Sequence, residues 1–137
     1  MPTIEQSDKV TRIFGEWPSF HDAEVVRLVL DRSGPEGPTL EAQIHVFAAT
    51  PEVDATGHYV LKNHTLVTLR FTEVLLANLQ WFNKQNVLFK LAIVDIDPNA
   101  HEGRRLRVEF PASYGLAGAF ECKRAIVADV KAHDAAA

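Results

Sequence analysis

The chain has 137 residues, 47% of them hydrophobic and 23% charged, which is an ordinary globular composition and excludes a disordered chain. One domain over 1–137 is expected at this length, and folding buries roughly two-thirds of the chain's surface, so the core needs no disulfide or metal staple. The formal net charge of −4 gives no general attraction to nucleic acid or to an anionic membrane, and mildly favours a basic partner.

Residues 3–15 predict a helix. Thr3 followed by Gln6 fits a capping box, and Glu5 and Asp8 suit the positive end of the helix dipole. Val10, Ile13, Phe14 and Trp17 fall on one apolar stripe. Gly15 is placed to end the helix in a left-handed conformation, and Pro18 blocks its continuation. Trp17-Pro18-Ser19-Phe20-His21-Asp22 then joins this helix to a β-forming run.

From residue 23 the period of the pattern becomes two. Val26, Leu28 and Leu30 alternate with Val25, Arg27, Val29 and Asp31. Gly34-Pro35-Glu36-Gly37-Pro38 is a turn by composition. In the next strand Leu40, Ala42, Ile44, Val46 and Ala48 face one way, and Glu41, Gln43, His45 and Phe47 the other, which makes an antiparallel hairpin with its predecessor. Residues 51–63 read as a polar loop, with Tyr59-Val60-Leu61 as a short strand inside it. Val67, Leu69 and Phe71 share a face, but the apolar phase breaks at Thr72-Glu73, which predicts a bulge or sharp bend.

Trp81-Phe82-Asn83-Lys84-Gln85-Asn86 is an amide-rich turn. Residues 87–96 are apolar on both faces, the mark of a central strand, and residues 98–103 turn the chain again. Leu106, Val108 and Phe110 alternate with Arg105, Arg107 and Glu109, and a last strand over 120–131 carries Phe120, Cys122, Ile126, Ala128 and Val130. Residues 132–137 are expected to fray. No spacing suits alternating helices and strands. The fold class is α+β, mostly β, with the N-terminal helix packed on a curved antiparallel sheet of six or seven strands over 23–131.

His21 and Asp22 are the obvious dyad, since a carboxylate can orient an imidazole for base catalysis. Neighbours in a strand point to opposite faces, so the two can pair only if the joint is a turn. Ser19-x-x-Asp22 also fits a capping pattern, in which Asp22 bonds backbone N–H groups. The structural reading is favoured, with Trp17 and Phe20 largely buried. Of the six histidines, none forms His-x-His or His-x-x-x-His, so no metal site is read, although His58 and His64 flank a loop and could converge with His21. Cys122 falls on an apolar strand face with no adjacent cation, which suits an inert thiol. Ser113-Tyr114-Gly115 lacks a nucleophile-elbow frame, and Gly34 to Gly37 lacks the P-loop lysine. Arg104-Arg105-Leu106-Arg107 is a solvated sheet face rather than a nucleic-acid patch. No catalytic residue, metal or cofactor is therefore expected. The N-terminus has no basic stretch leading into an apolar one, no apolar run approaches the roughly 20 residues of a membrane span, and a lone cysteine is compatible with a reducing cytosol. A cytoplasmic protein is the expectation.

The stretch from Phe14 through Trp17-Pro18-Ser19-Phe20-His21-Asp22 to Val25 resembles the opening of the immunity protein 50 family. Phe71-Thr72-Glu73-Val74, then Phe82-Asn83-Lys84-Gln85-Asn86-Val87, is similar to that family's central strands and Asn-rich turn, and Phe120-Glu121-Cys122 to its closing strand. Leu88-Phe89-Lys90 departs from the more polar stretch expected there. The resemblance covers residues 12–131. It implies a bacterial immunity protein of a polymorphic toxin system, which binds and blocks a toxin made by its own cell. It marks Trp17, Pro18, Ser19, Phe20, His21, Asp22, Phe82, Asn83, Gln85 and Asn86 as family landmarks, structural or interacting. The implied partner is a cognate protein toxin, and a homodimer is compatible with the sequence. Two other classes stay open: a small metal-dependent or His/Asp hydrolase around His21 and Asp22, and a homo-oligomeric structural domain using an exposed sheet edge.

Overall fold

The computed structural model describes residues 2–97, 99, 103 and 105–133, the side chains of Leu76 and Ala77 apart. The elements run β1 (Ile4–Glu5), α1 (Asp8–Phe14), β2 (Glu24–Asp31), β3 (Thr39–Val53), β4 (Tyr59–Thr72), β5 (Leu75–Gln80), β6 (Val87–Leu88), β7 (Ala92–Asp95), β8 (Leu106–Phe110), β9 (Ala112–Tyr114), β10 (Ala117–Cys122) and β11 (Arg124–Ala132). The chain is mostly strand, with one short N-terminal helix, as its alternating patterns predict. The strands form two sheets, of order β1-β11-β4-β3-β2-β6-β9 and β5-β10-β8-β7.

The strongest alternation makes the centre of the larger sheet. Leu40, Ala42 and Ile44 on β3 lie opposite Phe71, Leu69 and Val67 on β4, and all six are buried. The phase break after Phe71 is where the chain changes sheets. β4 ends at Thr72, Glu73 takes a left-handed φ of 50°, and β5 begins in the smaller sheet. The Phe71 and Phe120 rings meet edge-on at 5.1 Å, joining β4 of one sheet to β10 of the other. A shared cluster of buried side chains therefore lies between the sheets.

The helix is shorter than the 3–15 expected. Gln6 turns the chain with φ 60°, so Ile4 and Glu5 leave the helical path and pair in parallel with Ala125 and Ile126 of β11. Burial of Ile4 in the core outweighs the capping signal at Thr3. This pairing also makes the larger sheet mixed rather than wholly antiparallel. Gly15 ends α1 as expected, at φ 83°, with its N–H donating to the Thr11 carbonyl at 2.8 Å. Val10 is fully buried and Phe14 and Trp17 pack on the same cluster, whereas Ile13 is only half-buried.

Three expected segments are built differently, and one of them is the last strand over 120–131, which divides at Lys123 into β10 of the smaller sheet and β11 of the larger. Residues 51–63 are not a loop. β3 runs out to Val53 and β4 begins at Tyr59, so the hairpin extends as an arm with residues 51–59 exposed. Its tip is an Asp54 turn whose Oδ1 accepts the N–H groups of Thr56 and His58. Residues 87–96 are not one central strand either. Val87–Leu88 belongs to the larger sheet and Ala92–Asp95 to the edge of the smaller one, because the segment between is claimed by the joint described below. β11 persists to Ala132, and the His133 N–H still donates to the His64 carbonyl at 3.1 Å. Of the expected turn over 98–103, residues 98 and 100–102 lie outside the described residues, as do Arg104 of the basic run and residues 134–137 of the tail.

Candidate functional site: a structural clasp beside an exposed aromatic rim

The hexapeptide folds as a tight joint. Phe20 and Asp22 both take left-handed conformations, φ 65° and 63°, which a bulky side chain adopts only when its surroundings enforce it. Burial of the Phe20 ring supplies that enforcement, and the Trp17 ring packs on it at 5.4 Å. The backbone is bonded on both sides. The Asp22 N–H donates to the Leu88 carbonyl at 2.9 Å and the Leu91 N–H to the Ser19 carbonyl at 3.1 Å. Ser19, rather than Asp22, is the capping side chain, its Oγ accepting the His21 N–H at 3.2 Å.

His21 and Asp22 do meet, because the joint is a turn. His21 Nε2 lies 3.5 Å from Asp22 Oδ2, with both side chains 56% exposed. His21 Nδ1 sits 2.8 Å from the Phe89 carbonyl oxygen. A carbonyl only accepts, so Nδ1 carries a proton and donates it there. In a base-catalytic dyad one ring nitrogen faces the carboxylate and the other faces the substrate. Here the group that orients the ring through Nδ1 is a backbone carbonyl, and Asp22 lies 3.5 Å from Nε2 without a hydrogen bond to it, so the pair is not a carboxylate-oriented dyad. A concavity of about 430 Å³ lies elsewhere, lined by residues including Glu5, Asp95, Arg105 and Lys123.

The amide-rich turn is the second clasp, and Asn86 is its centre. Its side chain is buried and its hydrogen-bonding capacity is filled. Oδ1 accepts the N–H groups of Asn83 at 2.9 Å and Leu116 at 3.0 Å. Nδ2 donates to the carbonyls of Asn83 at 2.7 Å and Val25 at 3.4 Å. Asn83 Nδ2 donates to the Trp81 carbonyl at 2.8 Å, and Asn83 Oδ1 accepts the Gln85 N–H at 3.1 Å. Gly115 closes against this turn at φ 76°, where a Cβ would collide with the Gln85 carbonyl oxygen. Asn83 and Asn86 therefore hold backbone, and Gln85 contributes its main chain.

What these clasps present is aromatic. Trp81 is 73% exposed, Tyr114 57%, Phe89 53% and Phe82 50%. Trp81 and Phe82 open the Asn-clasped turn. Tyr114 precedes Gly115 and lies opposite Val87, and Phe89 is bonded through its N–H to the Pro111 carbonyl and meets the His21 ring edge-on at 5.5 Å. β9, which carries Tyr114, is the outer strand of the larger sheet, with all its residues exposed. Phe89 and Tyr114 are the members that sequence patterning misses. The only local signal is Phe89 itself, standing where the family pattern leads one to expect a polar residue.

The remaining candidates are dispersed. His58 pairs with Thr56 at the arm tip, His64 lies beside His45, and His21 is bonded at Phe89. Among the described residues no three His, Cys, Asp or Glu side chains are arranged to hold a metal ion. Cys122 is buried, and desolvation pushes its thiol up to about 12. Arg107 is paired with Glu109 at 2.8 Å on its strand face. Among the described residues no helix is long and apolar enough to cross a membrane.

Fold and site together define a mostly β protein in which two hydrogen-bonded clasps support an exposed aromatic rim. Residues 6–133 match the family model described as Immunity protein 50, and the chain belongs to that family. No curated protein and no solved structure matches the chain.

Proposed function

We propose that this protein neutralises a bacterial toxin by binding it in the cytoplasm of the cell that makes it, as the immunity component of a polymorphic toxin system, and that it does so without catalysis. Membership of the immunity protein 50 family over 6–133 carries this reading. The aromatic rim supports it, because Trp and Tyr supply large rigid contact areas and dominate binding energy at protein interfaces. We place the toxin on Trp81, Phe82, Phe89 and Tyr114. In this reading Asn83, Gln85, Asn86 and the residues from Trp17 to Asp22 support the surface. A one-to-one interface of about 1,200–2,000 Å² fits such a role.

Co-expression with the toxin encoded beside this gene tests the proposal. The toxin alone arrests growth, and this protein restores it. Continued killing at matched expression would overturn the reading.

A further inference from the structure

Three imidazoles meet at the base of the β3–β4 arm. His45 Nε2 on β3 lies 2.9 Å from His64 Nδ1 on β4. The His133 ring, just past β11, stands 4.5 Å from the His45 ring, and the Phe47 ring lies 5.7 Å from His45 and 5.8 Å from His64. The site coincides with a break in the hairpin. The β3–β4 register shifts between Val46 and Ala48, and Asn63, next to His64, takes φ 58°. Beyond this point residues 51–59 are exposed, while before it both strands are buried on their inner face.

We propose that His45, His64 and His133 form a proton-sensitive hinge for the arm, stapled while His45 or His64 is neutral and released when both are charged. A hydrogen bond between two imidazole nitrogens needs one proton and one lone pair. The staple therefore survives protonation of His64, with His45 Nε2 then accepting. It fails once both facing nitrogens carry protons, since two N–H groups cannot share 2.9 Å. His133, charged beside His45, adds repulsion.

The charged groups sharing this face by register are Glu24, directly opposite His45, and Arg27 on β2, Glu41 on β3, Arg70 on β4, and Asp129 and Lys131 on β11. Burial, then His133, then His64, hold the His45 imidazole below its ordinary value of 6.5. The unfolded or released chain therefore takes up a proton at a pH where the stapled chain does not. The stapled state is favoured above about 6.5 and loses ground as pH falls below it.

Amide hydrogen exchange, expressed as protection factors, tests this. On going from about pH 7.5 to about pH 5, protection at Ala49 and Leu61, which pair across the arm, falls about tenfold or more, while that of Val127 in the core holds. His45→Gln keeps a donor for His64 but cannot charge, and its arm protection stays constant. His133→Asn removes one repelling charge and makes the loss smaller. Arm protection that ignores pH in the native protein, an identical loss in His45→Gln, an undiminished loss in His133→Asn, or a parallel loss at Val127 would each overturn the hinge.

Discussion

The Asn86 side chain accepts the backbone N–H of Leu116 at 3.0 Å, thirty positions away. This one bond ties the amide-rich turn to the segment carrying Tyr114. Both donors bonded to Oδ1 are backbone N–H groups, that of Leu116 buried and that of Asn83 partly buried. Asn86→Ala is expected to cost about 2–4 kcal/mol, since each buried donor left unsatisfied costs about 1–3 kcal/mol. Urea unfolding measures this, and a loss below about 0.5 kcal/mol would show that the turn does not depend on Asn86.

The helix provides a sharper test of its own docking. Val10 is fully buried and Ile13 half-buried. Val10→Ala is expected to cost about 2 kcal/mol from lost burial and the cavity left behind. Ile13→Ala, although it removes more carbon, is expected to cost only about 1 kcal/mol. Equal or reversed losses in thermal unfolding would mean that the helix presents a different face to the sheet.

Cys122 is expected to be inert. With its thiol pushed up to about 12 by burial, almost no thiolate exists at neutral pH, and no reagent reaches the sulfur without opening the core. Labelling by an aromatic disulfide reagent is predicted to track unfolding by denaturant. Rapid labelling of the native protein would contradict both the burial and the structural role.

The rim predicts a separation between stability and binding. Trp81→Ala and Tyr114→Ala remove exposed rings, so each should change folding stability by no more than about 0.5 kcal/mol. Each is nevertheless expected to weaken toxin binding about tenfold or more. Asn86→Ala should do the reverse in part, lowering stability first and affinity only through the displaced turn. Full affinity in a Trp81→Ala/Tyr114→Ala double variant would move the toxin to another surface.

The sequence was most legible where one face of a strand is fully buried. The alternation over 40–48 placed β3 correctly, and the phase break at Thr72-Glu73 marked the crossing between sheets. It was least legible where tertiary partners override local pattern. Ile4 and Glu5 carry helix-compatible signals but are drawn into a parallel pairing with β11. The apolar run over 87–96 looked continuous because both its halves are partly buried, although in different sheets. Residues 51–63 are polar because a projecting arm is solvated on both faces, and composition alone does not distinguish that from a loop. The hexapeptide was recognisable as a joint, but the exchange of roles between Ser19 and Asp22 depends on φ angles that only the packed Phe20 ring imposes. Phe89 and Tyr114 join the rim through contacts distant in sequence, which no local pattern records.

Titration calorimetry of the purified neighbouring toxin into this protein tests the central claim most directly. The account predicts one-to-one binding whose association weakens as salt rises if the toxin is basic, because the chain carries a net charge of −4. It also predicts that the Trp81→Ala/Tyr114→Ala variant loses most of this affinity while remaining folded. Absence of measurable binding between the folded native partners would contradict it.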